Sequence, residues 1–331
     1  MNNASEQSIC ILGRQPELGL AELESLYGPA ALRRVSQHVA LVNLPDTDIA
    51  FSRFGGSTRL ARVVSVLSSS NWKVVEKELA KLAHRGTLSS LASGKLHLGI
   101  SAYGFSMTPA KIQATALTLK KILRTDDRSV RVVPNTDVEL NTAQVLHNQL
   151  ATDKGVELLL IADGAKTIIA TTTTVQDIDS YTLRDRGRPK RDARVGMLPP
   201  KLAQIIINLA TSNLDPAHGT VVLDPFCGTG VILQEATLMG FDVFGSDLEP
   251  RMIQYTDENL LWLLNQKNMP GSGPTEYADD ENWRYFKLEA GDATSHQWNP
   301  MPNIVATETY LGRPFTTTPA TDVLEQTVSD V

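Results

Sequence analysis

Apolar positions along this chain change rhythm once. In the first half, short apolar runs alternate irregularly with helical stretches. Ser8 to Leu12 predicts a strand, and Pro16 to Leu26 a helix with Leu18, Ala21, Leu23 and Leu26 near helical spacing. Pro16 suits the start of that helix and Gly28 its end. Val39 to Leu44 and Leu60 to Leu67 predict two more strands. A strand at Leu96 to Ser101, an amphipathic helix at Pro109 to Leu123, a strand at Val130 to Val133 and a short helix at Asn141 to Leu150 follow. Val156 to Ala162 and Thr167 to Thr172 predict a hairpin around Asp163-Gly164. The mixture points to an α+β region.

Tyr181 to Pro200 is rich in Arg, Gly and Pro and has no period, so it predicts a linker leading into a helix at Pro200 to Ala210. The rhythm then becomes regular. Strand and helix alternate at Val221–Leu223, Val231–Met239, Val243–Ser246 and Glu249–Leu264, with further strands at Tyr285–Glu289 and Ile304–Ala306. Such alternation predicts a parallel, doubly wound α/β sheet of Rossmann-like type. Lys267 to Glu281, rich in Gly, Pro and Asp, predicts a mobile surface loop.

Composition sets outer bounds. The 331 residues suit two or three domains, and 42% hydrophobic residues are enough for packed cores. No apolar run reaches the roughly 18 residues of a spanning helix, and Met1 to Ser8 lacks an apolar signal core. Cys10 and Cys227 offer neither a disulfide framework nor a zinc-ligand cluster, so a reducing, cytoplasmic setting without membrane or metal is expected. The net charge of −6 hides an asymmetry: residues 1–183 carry +2, residues 184–201 carry +5 and residues 202–331 carry −13. That split predicts a division of labour, with the front and middle facing phosphates and the back holding a different ligand.

Candidate chemistry concentrates after the first regular strand. Asp224-Pro225-Phe226-Cys227-Gly228-Thr229-Gly230 follows an apolar strand and precedes an apolar helix. Glycines at such a crossover let backbone approach a ligand closely. The acid at the head of the turn would repel a pyrophosphate, but it suits the cationic amino and sulfonium groups of S-adenosylmethionine. Gly245-Ser246-Asp247, with Leu248 beside it, ends the next strand, where an acid can accept ribose hydroxyls. Gly291-Asp292-Ala293 follows the third strand, where a carboxylate can accept from an adenine amino group. Plainer roles stand beside these: Asp247 as a helix cap, Asp292 as a loop residue, Cys227 as packing.

These residues resemble the first motif of RNA methyltransferases that bear a THUMP domain. Arg184 to Asp192, continuing through Val195-Gly196-Met197-Leu198-Pro199-Pro200-Lys201-Leu202-Ala203, is similar to the linker and first helix of the archaeal and eukaryotic tRNA guanine-N2 methyltransferases that act on guanosine ten. Glu17 to Leu23 resembles the opening helix of that family's ferredoxin-like domain. The resemblance implies a ferredoxin-like domain at 1–70, a THUMP RNA-binding domain at 71–175, a basic linker at 176–196 and a class I methyltransferase domain at 197–331. It implies S-adenosylmethionine held by Asp224, Phe226, Cys227, Gly228, Thr229, Gly230, Asp247, Leu248, Asp292 and Ala293. The implied partner is tRNA, with Arg184, Arg186, Arg188, Lys190 and Arg191 as phosphate contacts.

The chain departs from that family in two places. The family's catalytic motif is an Asp or Asn, two prolines and an aromatic; here the place holds Ala306-Thr307-Glu308-Thr309-Tyr310, without prolines and with Thr307 at the acid or amide position. Glu308 is the expected substitute acceptor, with Thr307 the alternative, and Tyr310 is expected to stack on a flipped guanine. Second, Pro314 to Val331 is too short for the remaining strands and helices of a class I domain, so a domain cut off after its fourth strand is expected, with an exposed edge. The readings left open are methylation of another base amine in ribosomal RNA or DNA, a non-catalytic RNA-binding protein, and a nicotinamide-dependent dehydrogenase. The last lacks the three-glycine spacing.

Overall fold

The computed structural model describes residues 6–86, 88, 95–124, 129–192, 197–212, 214, 216, 219–266, 286–299, 301–309 and 319–329. Two compact units divide the chain, Met1–Gln176 and Asp177–Val331.

The first unit is built on one sheet. Its strands are β1 (Ser8–Leu12), β2 (Leu32–Ser36), β3 (Val39–Val42), β4 (Ser57–Leu67), β5 (Leu96–Tyr103), β6 (Val130–Val132), β7 (Gly155–Asp163) and β8 (Lys166–Val175), in the order β2-β3-β1-β4-β8-β7-β5-β6. Among the described residues four α-helices accompany them: α1 (Pro16–Tyr27), α2 (Trp72–His84), α3 (Pro109–Leu123) and α4 (Thr142–His147). Strand β4, before the border expected at residue 70, pairs antiparallel with β8, after it, along most of its length. A buried polar network crosses the same border. Arg59 of β4 donates to Glu157 of β7 at 2.7 Å and to the carbonyl of Leu140, and Ser101 and Thr172 each donate to Glu157 at 2.6 Å. A buried carboxylate is tolerable only when so satisfied. Helix α2, absent from the predicted elements, buries Trp72, Val75, Leu79 and Leu82 at helical spacing, and Asn71 caps it by accepting from the Lys73 N–H at 3.0 Å.

The second unit contains α5 (Ile178–Arg186), α6 (Pro200–Thr211), β9 (Val221–Asp224), α7 (Val231–Met239), β10 (Asp242–Asp247), α8 (Pro250–Leu264), β11 (Phe286–Ala290), β12 (Ile304–Val305) and α9 (Thr321–Ser329). Its four described strands are parallel, in the order β11-β10-β9-β12. The chain therefore leaves β9 in one direction for β10 and β11 and returns on the other side as β12. The carboxyl end of β9 is the switch point where open α/β sheets form a crevice. Val222, Val243, Leu233, Ala236, Phe241 and Leu260 fill the core around β9 and β10.

The predicted linker needs correcting. Residues 178–186 form helix α5, capped by Asp177, which accepts from the Ser180 N–H at 3.0 Å. Its buried residues are Tyr181 and Arg184. A helix that buries an aromatic and a cation shows no aliphatic period, so the pattern of apolar positions hid it. The loop expected at Lys267 to Glu281 lies outside the described residues.

Candidate active site

The turn from β9 into α7 is built to bring backbone close to whatever lies over it. Gly228 and Gly230 have φ of 52° and 79°, a left-handed region that side chains resist. A Cβ on Gly230 would also fall 2.7 Å from Thr256 Cγ2. Neighbouring elements hold the turn. The Cys227 N–H donates to the Ser246 carbonyl at 2.9 Å, the Gly228 N–H donates to the Asp247 carboxylate at 2.9 Å, and Thr256 Oγ1 donates to the Gly228 carbonyl at 2.9 Å. Asn259 Nδ2 donates to the Thr229 carbonyl at 2.9 Å. Thr256 and Asn259 sit three residues apart on one face of α8, a supporting pair that no motif announced.

Acids gather at the strand ends. Asp224 is only 3% exposed and accepts from Thr307 Oγ1 at 2.6 Å and from the Phe226 N–H at 3.2 Å. Burial pushes its carboxyl up to about 7; the two hydrogen bonds oppose this, and the nearby Asp247 and Glu308 carboxylates add to it. Asp247 spends its second oxygen on the Glu249 N–H at 3.0 Å, a turn contact just ahead of α8; the N-cap of that helix is Glu249, so Asp247 is not the cap expected of it. Asp292 is exposed. The Thr294 hydroxyl and N–H, at 2.7 and 2.9 Å, hold its carboxyl below the ordinary value. Asp292 stands one residue beyond the point where the Gly291 N–H donates to the Asp247 carbonyl at 3.0 Å, with the half-buried Ala293 next in the turn.

Two large apolar side chains flank these acids without being packed away: Phe226 is 43% exposed and Leu248 70%. Cys227, by contrast, is buried, and burial pushes its thiol up, which suits packing rather than nucleophilic chemistry. The structure thus pairs Asp224 with Thr307 and Gly228 with Asp247, and Asp247 stands within electrostatic range of Asp224. Asp292 and Ala293 stand at the neighbouring strand end, and Tyr310 lies outside the described residues. Thr307 was expected as an acceptor at the reacting end; here its hydroxyl donates to Asp224. Glu308 is exposed.

The basic residues separate into two kinds. Arg186 and Arg191 are exposed, and Lys190 pairs with Glu258 at 3.1 Å on the surface of α8. Arg184 and Arg188 are buried, at 6% and 3% exposure. Arg184 donates to the buried Glu235 of α7 at 2.6 Å, so it pins α5 to α7 and presents no charge to phosphate. Arg188 is likewise removed from the surface, which corrects the expectation that both face RNA.

Residues 178–258, which contain this turn, match the family model described as DNA methylase. That match lies wholly within the second unit. Two curated relatives sharpen the likeness. A tRNA (guanine(10)-N2)-dimethyltransferase of Methanothermobacter thermautotrophicus is 49% identical over 65 residues, 20% of this chain and 18% of the relative. Its counterpart in Methanocaldococcus jannaschii is 40% identical over 80 residues, 24% of this chain and 22% of the relative. The matched stretches thus span about a fifth of those relatives' lengths. Among solved structures, TrmN from Thermus thermophilus aligns with 91% of this chain and 78% of its own, at 17% identity and a TM-score of 0.48. Over those partial stretches the chain resembles the tRNA (guanine(10)-N2)-dimethyltransferases.

Proposed function

We propose that the second unit binds S-adenosylmethionine and transfers its methyl group to the exocyclic N2 amine of a guanosine in tRNA. The observation that carries the donor half is the acid cluster. Asp224 is buried with its carboxyl pushed up to about 7, and Asp247 and Glu308 stand within electrostatic range. A cationic ligand relieves that repulsion, while a phosphate increases it. Asp247 and Asp292 offer acceptors for ribose hydroxyls and an adenine amine, and the exposed Phe226 and Leu248 offer apolar faces for the base. When bound, the donor supplies an electrophilic methyl group on a sulfonium.

The chain's own residues then orient the amine. Thr307 holds Asp224 by its hydroxyl and fixes the backbone after β12. Glu308, next in sequence and exposed, accepts hydrogens of the amine and aims its nitrogen. Tyr310 stacks on the extruded base. Exposed Arg186 and Arg191 and the half-exposed Lys190 meet RNA phosphates.

Methyl transfer from labelled donor to tRNA, with Glu308→Gln and Glu308→Ala beside the wild type, tests this reading. A loss of about tenfold or more in Glu308→Ala, with donor affinity kept, is expected, and a smaller loss in Glu308→Gln, whose amide oxygen still accepts. Equal rates in all three remove Glu308 from the mechanism. A second reading rests on Thr307: its hydroxyl is turned into the protein at the position where the related enzymes place an acid or amide. In that reading the unit binds donor and RNA without transfer, and a wild type that binds both yet transfers nothing supports it.

A further inference from the structure

The turn that carries Asp292 is fastened from two sides. Within it, the Ser295 and His296 N–H groups both donate to the Asp292 carbonyl, at 3.0 and 2.8 Å. The His296 ring lies so close over Gly291 that a Cβ there would fall 2.2 Å from Nδ1. His296 Nε2 donates to Glu289 of β11 at 2.9 Å. The other Glu289 oxygen pairs with Lys287 at 2.8 Å, on the same face of β11. These contacts tie the turn to the strand it leaves.

Trp298 ties it to the next strand. Its ring meets the His296 ring edge-on, with centroids 5.4 Å apart and planes at 64°. Its apolar body packs on Val221, Leu223 and Phe244 of β9 and β10. Its Nε1 donates to Ser246 Oγ at 3.1 Å, and that hydroxyl donates to the Pro225 carbonyl of the glycine turn at 3.4 Å. One chain of contacts therefore runs from Glu289 through His296 and Trp298 to the residue beside Asp247.

The fastening leaves one atom of Asp292 unused. Both Thr294 donors fall on Oδ1, and among the described residues no donor reaches Oδ2. A carboxylate oxygen of this kind accepts hydrogen bonds and donates none. We propose that His296 and Trp298 are positioning residues for the donor's base: they hold Asp292 Oδ2 where it accepts from the amine of a 6-aminopurine and cannot follow a 6-oxopurine. This rests on the donor reading above, with Asp292 as the adenine acceptor. A 6-oxopurine puts an acceptor where adenine has a donor, and it carries its ring N–H one position along. A carboxylate free to move could shift to that N–H and bind either base. A clamped one leaves two acceptors facing each other and rejects the oxo base. Selectivity between the bases therefore reports the clamp, and overall affinity does not.

Calorimetric titration with S-adenosylhomocysteine and S-inosylhomocysteine, which differ only in the amino or oxo form of the purine, tests this. The wild type is expected to prefer the adenosyl ligand by about tenfold to a hundredfold. Asp292→Ala should remove most of that preference. His296→Ala, which frees the turn over Gly291, should lower it to about threefold or less. Trp298→Phe, which keeps an aromatic ring and loses the Nε1 donor, should lower it by a smaller factor. His296→Gln, whose amide still donates to Glu289, should restore part of it. Retained affinity for the inosyl ligand shows that each variant is folded. If His296→Ala and Trp298→Phe weaken both ligands by the same factor, the two rings only stabilise the unit and the proposal is overturned. A wild type that binds both ligands equally, or an Asp292→Ala that keeps the preference, also overturns it and leaves donor binding standing. If the wild type binds neither ligand, the donor reading itself falls and takes this one with it.

Discussion

At the scale of single residues, Asp224 decides most. Its folded carboxyl titrates near 7, against 3.8 for an ordinary aspartate, so between those values the folded protein holds a proton that the unfolded chain has released. Stability contributed by this group therefore falls as pH rises from about 4 to about 7 and is level above that. Asparagine keeps an oxygen to accept from Thr307 and Phe226 but carries no charge. Asp224→Asn is expected to melt higher than the wild type at pH 8, by on the order of 4 kcal/mol at most, with the gap closing toward pH 4. Its affinity for the donor should fall at pH 8. A constant gap across that range of melting curves would mean that Asp224 does not titrate as argued. The cluster was partly legible in the chain, because an acid heading a glycine turn marks itself. Its partner was not: a threonine 83 residues later carries no chemical flag, and only the β9–β12 pairing brings the two together. Arg188 shows the same limit, since burial of a charged side chain inside a basic run cannot be read from charge alone.

At the scale of elements, regular apolar periods survived into the structure, and helices stabilised by other means did not show in advance. Helix α7 occupies the residues that its pattern predicts, Val231–Met239, because both its faces are packed. Helix α5 was concealed by its chemistry: Arg184 lies over the Tyr181 ring at 4.5 Å and pairs with Glu235, so a cation and an aromatic replace aliphatic contacts. Strand β2 was missed for a related reason, as two exposed arginines interrupt its alternation. The Arg184–Glu235 pair makes a quantitative claim, because its side chains are 7% and 1% exposed. Removing one partner leaves the other charge buried alone. Arg184→Met or Glu235→Leu should each destabilise the second unit by about 3–5 kcal/mol, and the double variant Arg184→Met/Glu235→Leu should recover much of the loss. Denaturant titration of all three checks this, and strictly additive losses in the double variant would show that the two residues act independently.

At the scale of the whole molecule, the chain holds two units with their own cores. The first is centred on Leu98, Ile100, Leu158 and Ile169, and the second on Val222, Leu233, Phe241 and Val243. The sequence pattern found the change of rhythm between them, while local periods say nothing of which distant strand completes a sheet, as with β4 and β8. All the residues assigned to donor binding belong to the second unit, so a ligand there stabilises that unit and not the first. At a hundredfold excess over its Kd, S-adenosylhomocysteine adds about 2.7 kcal/mol, worth roughly 5–10 °C for a body of this size. Calorimetry is expected to resolve two transitions, with the ligand raising only one. Arg184→Met identifies it independently, because the transition lowered by breaking the α5–α7 pair must be the transition raised by the ligand. A ligand that raises the other transition would place the nucleoside site in the wrong half of the chain and remove the link between the acid cluster and the donor.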